Sequence, residues 1–283
     1  RKEASVNETA TKQPAPTRDA ATILLIRDGD HGVEVFMLVR HTRLDFASGA
    51  MVFPGGGVDE HDRDPGLSEQ IPRELRSLPS DERALRIAAI REAYEECGVL
   101  LARPQGESGL VSAQRLRGID ERYAEARSQH NLDIGHVARE ERLELACDLM
   151  IPFAHWITPV SQPKRFDTRF YVARAPQDHV AIHDGHESVE SLWMGAEEIC
   201  RQADAGQWHV MFPTRMNLHR LADHGSVDEV LDAAKHLPIV PVLPELVGQL
   251  EGGRRLRIPI EAGYGMSEVV VSKDGGFRAS DNA

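Results

Sequence analysis

Two apolar runs open the patterned part of the chain. Residues 21–27 (ATILLIR) and 33–40 (VEVFMLVR) are dense in β-branched and long aliphatic side chains, with Asp28-Gly29-Asp30 between them, a pattern that predicts two buried strands joined as a hairpin. A short strand is expected to lead into Phe53-Pro54-Gly55-Gly56. Residues 84–99 (ALRIAAIREAYEECGV) place apolar side chains at a helical period and reach Gly98, a helix stop. A strand over 99–102 is predicted next, then helix within 114–150, best over 119–130 and 137–150. Residues 151–157 and 165–174 read as strands on their β-branched and aromatic content. In the second, Phe166, Thr168, Phe170 and Val172 alternate with Asp167, Arg169 and Tyr171, predicting one buried and one polar face. A strand at 189–194 and helices at 196–205, 213–222 and 227–235 follow, with Pro213 suited to a first helical turn. Two short extended segments, 237–244 and 255–260, close the pattern.

Residues 1–19 have no apolar periodicity and are expected to be a tail, residues 20–265 one domain, and residues 266–283 a polar C-terminal tail. Residues 57–83, with prolines at 65, 72 and 79, are expected to be a surface excursion holding one helical turn. Residues 114–150 form a second insertion, expected to act as a lid or a homodimer surface. Acids outnumber bases 45 to 33 and no basic cluster is interleaved with aromatics, which disfavours a nucleic-acid partner and favours a small ligand. The 3 cysteines are scattered without zinc spacing, so neither a disulfide scaffold nor a structural zinc is expected, and a reducing cytoplasm fits. No apolar run approaches the roughly 20 residues of a membrane span.

The chemistry concentrates in residues 84–99. With about 100° per residue and Glu92 at zero, Glu95 falls near 300° and Glu96 near 40°, so the three acids share an arc of roughly 100°. Ile87, Ile90, Tyr94 and Cys97 fall on the opposite side, which is expected to face the core and leave the acids outward. Arg91 precedes Glu95 by one turn and can pair with it. Three neighbouring carboxylates repel unless a cation stands among them, and hard oxygen donors suit Mg²⁺ or Mn²⁺. A solvated acidic face is the alternative; a di-iron bundle would need Glu-x-x-His, which the sequence lacks.

The run MVFPGGGVDE at residues 51–60, taken with REAYEECGV at 91–99, resembles the Nudix hydrolase signature: Gly, five residues, Glu, seven residues, then Arg-Glu-aliphatic-x-Glu-Glu-x-Gly-aliphatic. Arg91, Glu92, Glu95, Glu96, Gly98 and Val99 match the second half, with Ala93 at the aliphatic position, while the intervening loop is longer than the signature allows. Counting forward from Gly56 puts Asp62 at the lone Glu position; counting back from Arg91 puts Arg83 there, beside Glu82. The resemblance implies an α/β fold, an α/β/α sandwich around a mixed sheet, here enlarged by helical insertions. It implies metal held by Glu92, Glu95, Glu96 and the Gly55 carbonyl, with Arg91 supporting the catalytic acids.

Upstream, Arg40, Gly49 and Phe53-Pro54-Gly55-Gly56 resemble in spacing the additional signature of coenzyme A-cleaving members, with Asp45 at its second Arg position and Arg43 nearby. Residues 156–159 and 165–168 are similar to the subgroup that includes the peroxisomal coenzyme A diphosphatases. Arg40, Arg43 and Arg165 are therefore candidate phosphate contacts, since guanidinium forks onto phosphate oxygens; for Arg165 the alternative is a pair with Asp167. His183-Asp184-Gly185-His186-Glu187 reads as a polar loop, from which Glu187, or Glu190 beyond it, could supply a further acid. The resemblance implies hydrolysis of coenzyme A or acyl-CoA to 3′,5′-ADP and (acyl-)4′-phosphopantetheine. ADP-ribose, NADH and dinucleoside polyphosphates are the alternative substrates, and a non-catalytic nucleotide sensor is the alternative of another class.

Overall fold

Thr17–Gly29 (β1) turns back through Asp30-His31 into Gly32–Arg40 (β2), pairing antiparallel with Gly29 opposite Gly32. These strands lie at the centre of a mixed sheet. The computed structural model describes residues 14–40, 49–182, 184–185, 188–272 and 277–279, the last three by backbone alone. After β2 come Ala50–Val52 (β3), Gly55–Gly57 (β4) and the long helix Ser80–Cys97 (α1). Ala102–Pro104 (β5), Ala113–Ser128 (α2), Ile134–Glu140 (α3) and Leu143–Leu145 (β6) follow, then Ile151–Ile157 (β7), Arg165–Arg174 (β8) and Ser188–Gly195 (β9). The chain ends through Ala196–Asp204 (α4), His209–Val210 (β10), Phe212–Ala222 (α5), Val227–His236 (α6), Pro241–Val242 (β11), Glu245–Leu250 (β12), Gly253–Arg257 (β13), Glu268–Ser272 (β14) and Phe277–Ala279 (β15).

The main sheet runs β10-β3-β2-β1-β8-β7-β11, with β4 added to β1 and β9 to β2. β1 and β8 are parallel along ten residue pairs, Thr17 with Arg165 through Ile26 with Arg174, whereas β2, β4 and β9 pair antiparallel. Alternation splits β1 between two cores. Ala21, Ile23 and Leu25 face α1, α2 and α3; Leu24 and Ile26 face α4, α5 and α6. A three-layer α/β/α sandwich results, as expected.

Several expectations are corrected. β1 begins at Thr17 rather than at residue 20, because Thr17–Asp19 extend the parallel ladder with β8. Residues 99–101 are buried but not in a strand; the strand starts at Ala102. Within 137–150, helix stops at Glu140, and Leu143–Leu145 instead pairs with β5. The 57–83 excursion holds 3₁₀ turns at His61–Arg63, Pro65–Gln70 and Arg73–Leu75 and buries Leu67 and Ile71. β8 has no continuous polar face, since Tyr171 is buried under the α1 layer. Glu268–Ser272, expected to be tail, is the third strand of a separate antiparallel sheet, β12-β13-β14-β15. Cys97, Cys147 and Cys200 are buried free thiols. Among the described residues, no helix is long and apolar enough to cross a membrane.

Candidate active site

From Ile87 to Cys97 helix α1 is buried all round, so its acids do not face bulk solvent as the helical wheel predicts. The sheet lies under it, and the α2–α3 insertion closes the other flank: the Tyr94 hydroxyl donates to Asp120 at 2.8 Å and Arg127 stacks on the Tyr94 ring at 4.5 Å. Arg91, Glu92, Glu95 and Glu96 are all buried. Gly98 ends the helix in the left-handed region at φ 70°, which glycine adopts without a Cβ penalty.

Arg91 organises the acids. Its Nη1 donates to Glu92 at 2.9 Å and Glu95 at 2.7 Å, its Nη2 to the Gly57 carbonyl at 2.7 Å, and its Nε and Nη2 to Asp62 at 3.0 Å. Asp62, which counting could not assign, is thus the carboxylate beneath the arginine. Forward counting from Gly56 was the signal that could have found it. Arg83 instead donates to the Arg76 carbonyl at 3.2 Å.

Each glutamate has its own second partner. Glu95 Oε1 accepts the Leu132 amide at 3.0 Å, a contact from the α2–α3 turn that no side-chain motif could have revealed. Glu96 Oε2 accepts the Gly55 amide at 2.8 Å. Glu92 lies against Gly56, where a Cβ would stand 2.5 Å from its Oε1. Glu92 and Glu96 therefore face the glycine strand, while Glu95 is held between Arg91 and the insertion.

Burial pushes the Glu92 carboxyl up to about 7, with Arg91 pulling it down and Glu95 adding to the rise. Burial also raises Glu95 and Asp62 against the same guanidinium. Burial works against the Arg91 charge too, but the charges of Glu92, Asp62 and Glu95 outweigh it and raise its pKa. Three buried carboxylates around one guanidinium, with buried Glu96 beside them, leave an excess of negative charge, a set of hard oxygen donors that fits a divalent cation of the Mg²⁺ type. As they stand, no three acids among the described residues converge as a ligand cluster.

The arginines fare differently. Arg40 ends β2 on the α1 side of the sheet, two residues beyond Leu38, with Ser188 opposite. Arg43, like His183, His186 and Glu187, lies outside the described residues. Arg165 donates to the Thr158 carbonyl at 3.0 Å and the Ala15 carbonyl at 2.7 Å. It does not form the expected pair with Asp167, which contacts His155 at 2.6 Å and Arg169 at 2.9 Å. Its Cα is on the order of 16 Å from that of Gly56, from four residues along β1 and two strand spacings across. Asp184 contacts His130 at 3.0 Å, and Glu190 is exposed on β9.

A family model described as the NUDT19 Nudix domain matches residues 63–221, which includes the second half of the signature but not the glycine strand. A Caenorhabditis elegans protein named "Putative nudix hydrolase 7" is 29% identical over 207 residues, covering 72% of this chain and 60% of that one. The Xenopus laevis acyl-coenzyme A diphosphatase NUDT19 is 23% identical over 234 residues, 70% of this chain and 62% of that one. The chain thus spans about three-fifths of the length of these two relatives. Among solved structures, a Nudix hydrolase from Alicyclobacillus acidocaldarius shares the fold, with a TM-score of 0.65 and 24% identity over 77% of this chain and 96% of that one.

Proposed function

Because this chain belongs to the Nudix hydrolase family, we propose that it hydrolyses, with a divalent cation, the phosphoanhydride of a nucleoside diphosphate linked to another group. Coenzyme A or an acyl-CoA is the favoured substrate. The observation that carries the reading is the buried set Asp62, Glu92 and Glu95 gathered around Arg91, with buried Glu96 beside them on the amide of Gly55. The substrate choice is supported by Arg40 and Gly49 ahead of that strand and by relatives named acyl-coenzyme A diphosphatases.

Glu92 and Glu96, with a backbone carbonyl of the Gly55 loop, would hold Mg²⁺ or Mn²⁺. When bound, such an ion would neutralise the diphosphate and lower the pKa of a water for attack on phosphorus. The chain's own residues do the rest. Arg91 holds Glu92 and Glu95 in place, Leu132 fixes the other Glu95 oxygen, and the tight glycine strand leaves room for the carboxylates. Glu95, adjoining the cluster but committed to hydrogen bonds, acts as a positioning residue.

Incubation with coenzyme A, octanoyl-CoA, NADH and ADP-ribose in Mg²⁺, followed by product analysis, tests the reading. Release of 3′,5′-ADP from the first two, reduced at least 100-fold in Glu92→Gln, is the expected result. Cleavage of ADP-ribose with coenzyme A left intact would overturn the substrate choice, and no cleavage of any of the four would overturn the hydrolase reading.

A further inference from the structure

A cavity of about 560 Å³ opens between the C-terminal end of α1, helix α2 and residues 178–182 with Asp184. Its volume falls in the range of about 300–1,000 Å³ usual for small-molecule sites. Glu95, Cys97 and Gly98 form its α1 side, so it adjoins the acidic cluster directly.

Three polar contacts, one of them between backbone groups and two from side chains to backbone, hold its walls. The Ile182 amide donates to the Cys97 carbonyl at 3.2 Å, the Ala113 amide donates to Asp178 at 2.8 Å, and His179 Nε2 lies 2.7 Å from the Val111 carbonyl. Residues 178–182 are thereby tied to α1 and to the start of α2 at once.

The carboxylates around this space already have partners. Asp120 accepts the Tyr94 hydroxyl and Arg127, Asp178 the Ala113 amide, Asp184 the Ser188 amide, and Glu95 the Arg91 guanidinium and the Leu132 amide. Apart from the exposed Arg117 on α2, what lines the opening without a comparable partner is apolar. Val180 is 73% and Ile182 57% exposed, large aliphatic side chains on one lip, and Ala124 on α2 leaves the facing lip low. Solvent-exposed aliphatics grouped beside a site for a charged group suit a ligand with an anionic end and an apolar end.

Building on the proposed acyl-CoA reading, we infer that this cavity receives the acyl-pantetheine limb of the substrate, with Val180, Ile182 and Leu116 covering the chain and setting chain-length preference. The limb enters past Glu95 while the diphosphate stays at the glycine strand. Each methylene that leaves water for the cavity raises kcat/KM by up to about fourfold, chiefly through KM, until the space is filled.

The test is steady-state hydrolysis by the full chain with Mg²⁺ across coenzyme A, butanoyl-, hexanoyl-, octanoyl- and decanoyl-CoA, read as 3′,5′-ADP release. Wild type should show KM falling along the series. Ala124→Trp, which fills the opening, and Ile182→Asp, which makes its lip polar, should flatten that trend; both sites are exposed, and matching thermal melts confirm folding. A wild-type KM independent of chain length, with coenzyme A still cleaved, would overturn this inference and leave the function standing. So would a trend that survives both substitutions. An Arg117→Ala variant that loses only the discrimination between coenzyme A and its 3′-dephospho form would place the nucleotide end here and overturn it as well. Cleavage of no member of the series would remove the substrate reading and this inference together.

Discussion

Asp62, its side chain fully buried, lies under the guanidinium of Arg91, 29 residues further along, and accepts from both its Nε and its Nη2. The pair matters because Arg91 is also the group that holds Glu92 and Glu95, so an unbalanced Arg91 would disturb both. Removing Asp62 leaves the Nε and Nη2 donors of a buried guanidinium short of their acceptor, which costs about 1–3 kcal/mol or more for a charged group. Asp62→Ala is therefore expected to lose about 3 kcal/mol in urea unfolding and at least tenfold in turnover. A loss below about 1 kcal/mol would show that Glu92 and Glu95 suffice to hold Arg91.

The adjacent glycines of the loop strand should separate stability from activity. A Cβ at Gly55 would stand 2.5 Å from the Ala21 carbonyl oxygen and 2.7 Å from the Thr22 Cα, backbone atoms that cannot yield without opening the β1–β4 ladder. At Gly56 it would meet only the Glu92 carboxylate, the end of a side chain. Gly55→Ala is expected to lower the melting temperature strongly. Gly56→Ala should leave it within a few degrees but weaken Mn²⁺ binding and turnover at least tenfold. Equal effects of the two on melting would contradict this division.

Much of this arrangement was legible from residue patterns. The β1–β2 hairpin, β7 and β8 follow from dense β-branched and aromatic runs, and the end of α1 from Gly98. Short apolar runs were ambiguous: Leu143 and Leu145 are buried equally well by a helix face or by a strand, and only pairing with β5 decides. Of the four-stranded sheet β12-β13-β14-β15 only an extended segment over 255–260 was expected, because its strands are short, show no clean alternation and pair only with each other. In the site, Glu92, Glu95 and Glu96 were visible as a helix face, but their burial was not, since it depends on an insertion far away in the chain. The Leu132 amide has no side-chain signature at all.

That insertion gives a further test. The two excursions pack on each other, with buried Leu67 of the first so close to Gly135 of the second that a Cβ there would collide with it. Gly135 lies three residues beyond Leu132. Gly135→Val is expected to cost about 1–3 kcal/mol by overpacking and to speed proteolysis between residues 61 and 75. Through the Leu132 contact it should also lower kcat. Destabilisation with kcat unchanged would mean that the grip on Glu95 carries no catalytic weight.

On the α1 side of the sheet, His155, Asp167 and Arg169 form a cluster separate from the acids, with Glu82 of α1 nearby. The His155 pKa is held below 6.5, first by burial and then by the Arg169 charge, against the opposing pull of Asp167 and Glu82. The unfolded chain therefore binds a proton here more readily than the folded one. By linkage, the contribution of a neutral His155 is fully present above pH 6.5 and is lost as pH falls through 6.5 toward the lowered folded value. His155→Gln removes this titration. Urea unfolding of both proteins from about pH 7.5 down to about 5 should show the wild type's stability relative to the variant shrinking on acidification, following the usual range of imidazole protonation. A difference that stays flat would mean that His155 titrates alike in both states, and one that widens would mean that Asp167 outweighs burial and holds the ring protonated.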